Sequence, residues 1–384
     1  MKFIGSLCLI LILVTLAGHF SARLNLPVVM GELLVGIIFG PSLLNWVQSS
    51  NLIHIFSEIG VIILMFIAGL NSNLNLLKKF VKSSTIIAIS GMIIPIITAF
   101  LTGIFFNFTN FESLFIGIIF SATSVSISAE VLKEMNSIDS KEGATILGAA
   151  IVDDLLSVFL LSFVSGSYGN TERSINSLSV IWLQIAYLIF LFIFSFWIVP
   201  KLMRLSNKLL VPVSETLMAL IICLGLSYLA ELVGLSSIIG AFFSGISISQ
   251  TQYKNIISKR MESIGYTTFI PAFFVNIGLK MTLTGIFKDW IFFVVLTLGS
   301  IISKLIGSGL GAKLSGFTWT SSLMIGSGMV SRGEMALIVA QIGRQTHLLS
   351  RDSYSNIVGA IIVTTLVAPL MLKFSINLVK SDNY

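Results

Sequence analysis

The sequence predicts an all-α polytopic membrane protein of about thirteen transmembrane helices, and three observations predict it. Of its 384 residues, 55% are hydrophobic and only 10% charged, whereas a soluble domain carries roughly 25% charged residues. Its mean hydropathy of +0.99 leaves too little polar surface to cover a soluble particle of this size. Its apolar runs each approach the roughly 20 residues that cross a bilayer's hydrocarbon core, and they follow one another almost back to back.

The runs fall at 3–22, 26–46, 52–71, 83–107, 112–132, 144–166, 178–203, 213–232, 235–250, 262–283, 288–312, 319–343 and 352–379. The first has only Lys2 before it and no convincing small-residue cleavage site after it, so it reads as a helix rather than a signal peptide. The ninth, 235–250, is short for a span. Cys8 and Cys223 lie inside apolar runs and read as small buried hydrophobes. The net charge of +6 sits in short loops, which makes it a topology signal rather than a nucleic-acid surface. Loops after odd-numbered runs hold Arg23, Lys78, Lys79, Lys82, Lys133, Lys141, Lys201, Arg204, Lys208, Lys254, Lys259, Arg260 and Lys313. The other side holds mainly Lys2, Arg173, Lys288, Arg344 and Arg351. The odd loops and the C-terminus are therefore expected in the cytoplasm and the N-terminus outside.

Two halves of the chain repeat a pattern. The second run reads Pro27-Val-Val-Met-Gly31-Glu-Leu-Leu-Val-Gly36, and the ninth reads Ser237-Ile-Ile-Gly240-Ala-Phe-Phe-Ser-Gly245. The third carries Gly60 and Phe66-Ile-Ala-Gly69-Leu70; the tenth carries Gly265 and Phe274-Val-Asn-Ile-Gly278-Leu279. The order maps a first repeat over about 3–166 onto a second over about 213–379, with a linker helix at about 178–203. Equivalent runs are seven crossings apart, so the repeats are inverted, an arrangement frequent in secondary transporters.

Charges inside apolar spans are rare and functional by default. Asp153-Asp154 stand near the middle of the sixth run. Adjacent helical carboxylates point about 100° apart, so one is free to ligate an ion while the other pairs with a cation. Proton and metal ion then compete for one negative group, which is the physics of exchange. Lys304 stands mid-span in the eleventh run, and pairing with Asp153 or Asp154 keeps it charged. The fifth run carries Ser121-Ala-Thr123-Ser124-Val-Ser126-Ile-Ser128, hydroxyls that either satisfy an unwound turn or bond back within an intact helix. The twelfth carries Gly326-Ser-Gly328-Met-Val-Ser331-Arg332-Gly333-Glu334. There Arg332 offers an offset to exposed carbonyls, and Glu334 an offset to exposed amides or a partner for a lysine. Glu32, Glu58 and Glu231 lie near run ends and read as surface or interface residues. His19, His54 and His347 form no metal-ligand spacing. Phosphate loop, nucleophile elbow and cofactor fingerprint are all missing, so neither an enzyme nor a resident cofactor is expected.

These residues resemble the cation:proton antiporter 2 family, specifically its NapA-type sodium/proton antiporters. The likeness covers nearly the whole chain. It rests on the glycines and Pro41 of the second run, Gly60-x-x-x-Leu64-x-Phe66-x-x-Gly69-Leu70, Asp153-Asp154, Phe273-Phe274-x-x-x-Gly278, Lys304 and Arg332-Gly333-Glu334. The resemblance implies an NhaA/NapA-like fold with crossed discontinuous helices. It implies a core of about 83–166 and 288–379, and a dimerisation domain built from the rest. It implies a homodimer in the cytoplasmic membrane and an elevator movement. It makes Asp154 the carboxylate for the transported Na⁺, with Thr123 and Ser124 beside it, and Asp153 the partner of Lys304. It implies electrogenic exchange of Na⁺ (or Li⁺) for H⁺, with Na⁺, Li⁺ or K⁺ and H⁺ as cargo. Asn71 departs from relatives that often carry Glu there. The chain's end at Tyr384, without a nucleotide-binding regulatory domain, favours sodium over gated potassium efflux. The alternatives are a K⁺/H⁺ antiporter of the same fold and a sodium-coupled organic solute carrier; the Asp153-Asp154 pair with Lys304 argues against the second. Besides lipid, monovalent cation, proton and a second copy of itself, no partner is expected, and no nucleic acid.

Overall fold

A computed structural model describes residues 2–24, 26–48, 50–168, 174–206, 208–280, 289–345 and 348–382. Arg173, Lys288 and His347 of the sequence reading lie outside them. The described chain is helical with short connections: α1 Lys2–Arg23, α2 Val28–Phe39, α3 Asn51–Asn71, α4 Leu74–Phe105, α5 Asn110–Ser121, α6 Val125–Glu134, α7 Lys141–Tyr168, α8 Ser174–Ile193 and α9 Val199–Ser206. It continues with α10 Ser214–Leu232, α11 Ser237–Ser249, α12 Lys254–Ile264, α13 Ile270–Leu279, α14 Trp290–Leu314, α15 Trp319–Gly328, α16 Glu334–Gln345 and α17 Arg351–Asp382. Among the described residues, eight segments are long and apolar enough to cross a membrane, and α2 and α11 are shorter apolar helices.

Two joints are π turns, Phe194–Ile198 between α8 and α9 and Gly265–Phe269 between α12 and α13. Each precedes a proline, Pro200 or Pro271. A helical proline clashes with the carbonyl four residues back. Here those carbonyls belong to Phe196 and Thr267, inside the widened turns that make room for the ring.

The chain falls into two compact units. One comprises Met1–His54, Leu76–Ser157 and Phe274–Tyr384; the other comprises Ile55–Asn75 and Val158–Phe273. In the first unit α2 meets α13 backbone to backbone. A methyl on Gly36 would strike the Val275 carbonyl and the Gly278 Cα, and one on Gly278 would strike Gly36. In the second unit α3 meets α11 in the same way, with Gly69 against Phe242 and Gly245, and Gly245 against Phe66 and Leu70. Gly36 and Gly245 are equivalent in the sequence repeat, as are Gly69 and Gly278. The same contact is thus made twice with its partners exchanged, which gives the internal repeat a physical basis. Close approach of this kind is how helices associate where lipid removes the hydrophobic incentive. The other ends match as well: α2 packs on α1, and α11 packs on α10.

On α4, Ile89, Ile93, Ile97 and Leu101 are exposed at intervals of four; on α14, Leu298, Ile302, Ile306 and Leu310 do the same. These stripes give two repeat-related helices an outward apolar face suited to acyl chains. The opposite face of α14 carries buried Ser300, Ser303 and Lys304. The structure amends the expectations for Glu32 and Cys8 and agrees with those for Glu58, Glu231 and Cys223. Glu32 is only 7% exposed; it lies one turn into α2, beside which Glu134 of α6 accepts the Val28 amide at 3.0 Å, and α6 covers it. Glu58 and Glu231 are exposed. Cys8 lies on the outer face of α1, whereas Cys223 is buried.

Candidate ion-binding site

The fifth and twelfth runs both begin as capped helices and both stop halfway. Thr109 caps α5 in a capping box with Glu112, and Thr318 caps α15 by accepting the Ser321 amide. After Ser121 the backbone extends through Ala122 and Ser124 before α6 begins. After Gly328 it is non-helical through Gly333 before α16 begins. Glycine and hydroxyl residues lower the helical preference here, and the stranded backbone groups then need partners.

Those partners come from the other break. The Ser124 amide donates to the Ser331 carbonyl at 2.9 Å. The Ser331 hydroxyl donates to the Ser124 carbonyl at 2.9 Å. Ser128 Oγ donates to the Gly328 carbonyl and lies 3.1 Å from Ser331 Oγ. Thr123 Oγ1 is 3.5 Å from the Met329 carbonyl. Gly333 packs so closely on Ser124 that a side chain there would meet its hydroxyl. The two non-helical stretches therefore cross and seal each other, and Thr123, Ser124 and Ser331 are all buried.

Each half-helix that ends at the crossing presents carbonyls, the negative end of its dipole, and each meets a buried cation. Lys304 Nζ from α14 donates to the Ser121 carbonyl at the end of α5. It also contacts both carboxylate oxygens of Asp153, at 3.2 and 3.3 Å. Arg332 turns back onto α15, donating to the carbonyls of Met329 at 3.4 Å and Val330 at 3.1 Å. It reaches the Ser300 carbonyl on α14 at 3.3 Å. Lys304, Arg332 and Asp153 are each 0% exposed, and Asp153 lies within electrostatic reach of both cations. Asp154, the next residue on α7, is 4% exposed. Two clasps hold α7 and α17 in place. Ser321 Oγ donates to Glu142 in the first turn of α7 at 2.5 Å, and Thr365 of α17 donates to the Arg332 carbonyl. The side chain of Glu334 lies outside the described residues.

Of the residues singled out in the sequence, the structure joins Asp153 to Lys304 and sets Thr123 and Ser124 at the crossing. It places Arg332 on the carbonyls of the second break. Sequence reasoning missed Ser128 and Ser331 as the fasteners, and the Ser121, Ser300 and Gly328 carbonyls as acceptors. Both serines stood in the polar runs that drew attention, but a contact across some 200 positions leaves no local signal, and a carbonyl leaves none at all.

The family described as "Sodium/hydrogen exchanger, transmembrane" matches residues 8–377. The chain belongs to that family. It is 48% identical to a Na⁺/H⁺ antiporter of Enterococcus hirae over 97% of this chain and 98% of the relative. It is 41% identical to the Na⁺/H⁺-K⁺ antiporter GerN of Bacillus cereus over 97% and 96%. A sodium proton antiporter of Methanocaldococcus jannaschii shares the fold, with a TM-score of 0.66 at 18% identity, over 97% of this chain and 96% of that one. This exchanger is a membrane transporter and not an enzyme. The expected family and antiporter fold are borne out; the figure of thirteen crossings goes beyond the eight long spans of the described residues.

Proposed function

We propose that the exchanger moves Na⁺ (or Li⁺) out of the cell against H⁺ through the crossing of its two broken helices. The observation that carries this reading is the buried Asp153–Lys304 pair fastened to the end of α5, with a second carboxylate, Asp154, next to it. A charged pair withdrawn from water is costly unless each member is well partnered, so its presence mid-span argues for use.

Asp154 is the ion carboxylate. On the cytoplasmic side it gives up its proton and takes Na⁺, helped by oxygens of Thr123 and Ser124. The core helices, about 83–166 and 288–379, then shift as a body against a dimerisation domain made of the remainder. Na⁺ leaves outside and a proton replaces it. A second proton travels on the Asp153–Lys304 pair, which makes the exchange electrogenic. Arg332 keeps the second break's carbonyls from competing for the cation, and Glu334 balances amides at the start of α16. The protein works as a homodimer in the cytoplasmic membrane with its N-terminus outside and C-terminus inside.

A K⁺/H⁺ reading of the same site has one observation in its favour: a relative 41% identical is named for both Na⁺ and K⁺. The test is ²²Na⁺ uptake driven by a pH gradient in everted membrane vesicles. Asp154→Asn abolishes it; normal, pH-dependent uptake by that variant contradicts the assignment.

A further inference from the structure

Three contacts at the crossing share two protons. Ser331 Oγ faces the Ser124 carbonyl at 2.9 Å, Ser128 Oγ faces the Gly328 carbonyl, and the two hydroxyls face each other at 3.1 Å. A serine hydroxyl carries one hydrogen and two lone pairs. With both hydrogens on carbonyls, the hydroxyl oxygens meet lone pair to lone pair. When Ser331 turns its hydrogen to Ser128 instead, the oxygens are joined and the Ser124 carbonyl is released. Both arrangements hold two hydrogen bonds, so the difference between them is small. Hydroxyl rotation is a fast, local motion. Ser124, Ser128 and Ser331 are at most 2% exposed, so each hydroxyl finds its nearest partners within the crossing. Ser124 Oγ is itself buried without a hydrogen-bond partner, one more oxygen at the same residue with lone pairs to offer.

We propose that Ser128 and Ser331 form a hydroxyl switch that positions the Ser124 carbonyl and thereby sets the affinity for the transported cation. Without cation, Ser331 occupies that carbonyl. When the cation arrives, Ser331 swings to Ser128 and the carbonyl turns its lone pair to the ion; on release the hydrogen returns. Ser128 is the alternative acceptor that makes the swing nearly free of cost. Both are positioning residues acting through Ser124, and the inference rests on the reading that places Ser124 at the cation site.

The two hydroxyls then have opposite effects on the Na⁺ dependence. In Ser331→Ala the Ser124 carbonyl keeps the first helical bond of α6, as an N-cap carbonyl does, but its second lone pair is open whenever the site is empty. The cation then has no hydrogen bond to displace there, so it binds more tightly and leaves more slowly. In Ser128→Ala the Ser331 hydrogen has nowhere else to go, and the cation must break that bond without replacement. The experiment is Na⁺-dependent proton movement by purified protein in proteoliposomes, with KM and maximal rate determined for each variant. Ser331→Ala lowers both KM and maximal rate, and Ser128→Ala raises KM, each by between about twofold and tenfold. Ser331→Thr, which keeps the hydroxyl, moves KM less than Ser331→Ala does; a threonine variant that shifts KM as far as the alanine means that the hydroxyl is not what acts. A merely structural role weakens binding in both alanine variants. KM changes of the same sign, or none, overturn the switch while wild-type exchange leaves the transport reading standing. A wild-type protein in which Na⁺ moves no protons brings down both.

Discussion

Lys304 serves two partners at once, the Asp153 carboxylate and the carbonyl that ends α5. Replacing it strands a carboxylate and a helix end together. Removing one member of a buried pair costs roughly 3–5 kcal/mol. Lys304→Ala is therefore expected to lower the melting temperature in detergent by many degrees, and Asp153→Asn in the same chain to return part of the loss. A Lys304→Ala protein as stable as wild type means that the pair is not what holds the crossing. The neighbouring carboxylate has a different signature. If proton and Na⁺ compete for Asp154, the apparent KM for Na⁺ falls as pH rises, approaching about tenfold per unit where the protonated form dominates. It levels off once the carboxylate is fully ionised. A KM independent of pH contradicts competition at one group. Both residues were legible in the sequence because an intramembrane charge is conspicuous. Which aspartate takes the lysine was open from spacing alone, and the fold decides it by setting Lys304 Nζ 3.2 Å from Asp153.

At the scale of elements, α2–α13 and α3–α11 are the same joint built twice, and both depend on two glycines. A methyl at Gly36 has to displace backbone on α13, an overpacking that costs about 1–3 kcal/mol. Gly225 on α10 has open space around the same position, where alanine is worth up to about 1 kcal/mol in helix propensity. Gly36→Ala should thus lower the thermal midpoint and Gly225→Ala raise it or leave it unchanged. Equal effects mean that close approach is not the reason for Gly36. The repeat was readable because these glycines recur in order. The breaks were only half readable. The serines and glycines marked their neighbourhood, but Ser126 and Ser128 lie in regular helix while Ala122 lies in the break. What decides the boundary is the partner strand of backbone, Met329 to Gly333, far away in the chain. The apolar runs pass straight through Pro200 and Pro271, but the π turns that make room for those rings left no mark in the sequence.

For the whole molecule, a chain with 10% charged residues keeps Asp153, Asp154, Lys304 and Arg332 around the crossing almost wholly out of solvent. Moving one elementary charge across the membrane potential is worth about 2.3 kcal/mol per 100 mV, so an electrogenic exchanger must respond to voltage. In proteoliposomes clamped by a potassium gradient and valinomycin, an inside-negative potential should change the rate of Na⁺-driven proton movement, and an electroneutral exchanger should show no change. Exchange of monovalent cations for protons at Asp154 can be read more directly. Purified protein is placed in proteoliposomes with a pH-sensitive dye inside, a pH gradient is imposed, and Na⁺, Li⁺ and K⁺ are added in turn to wild type and Asp154→Asn. Na⁺ and Li⁺ should collapse the gradient in wild type, and the variant should hold it. A folded wild-type protein in which no monovalent cation moves protons, or an Asp154→Asn protein that exchanges normally, contradicts exchange at Asp154.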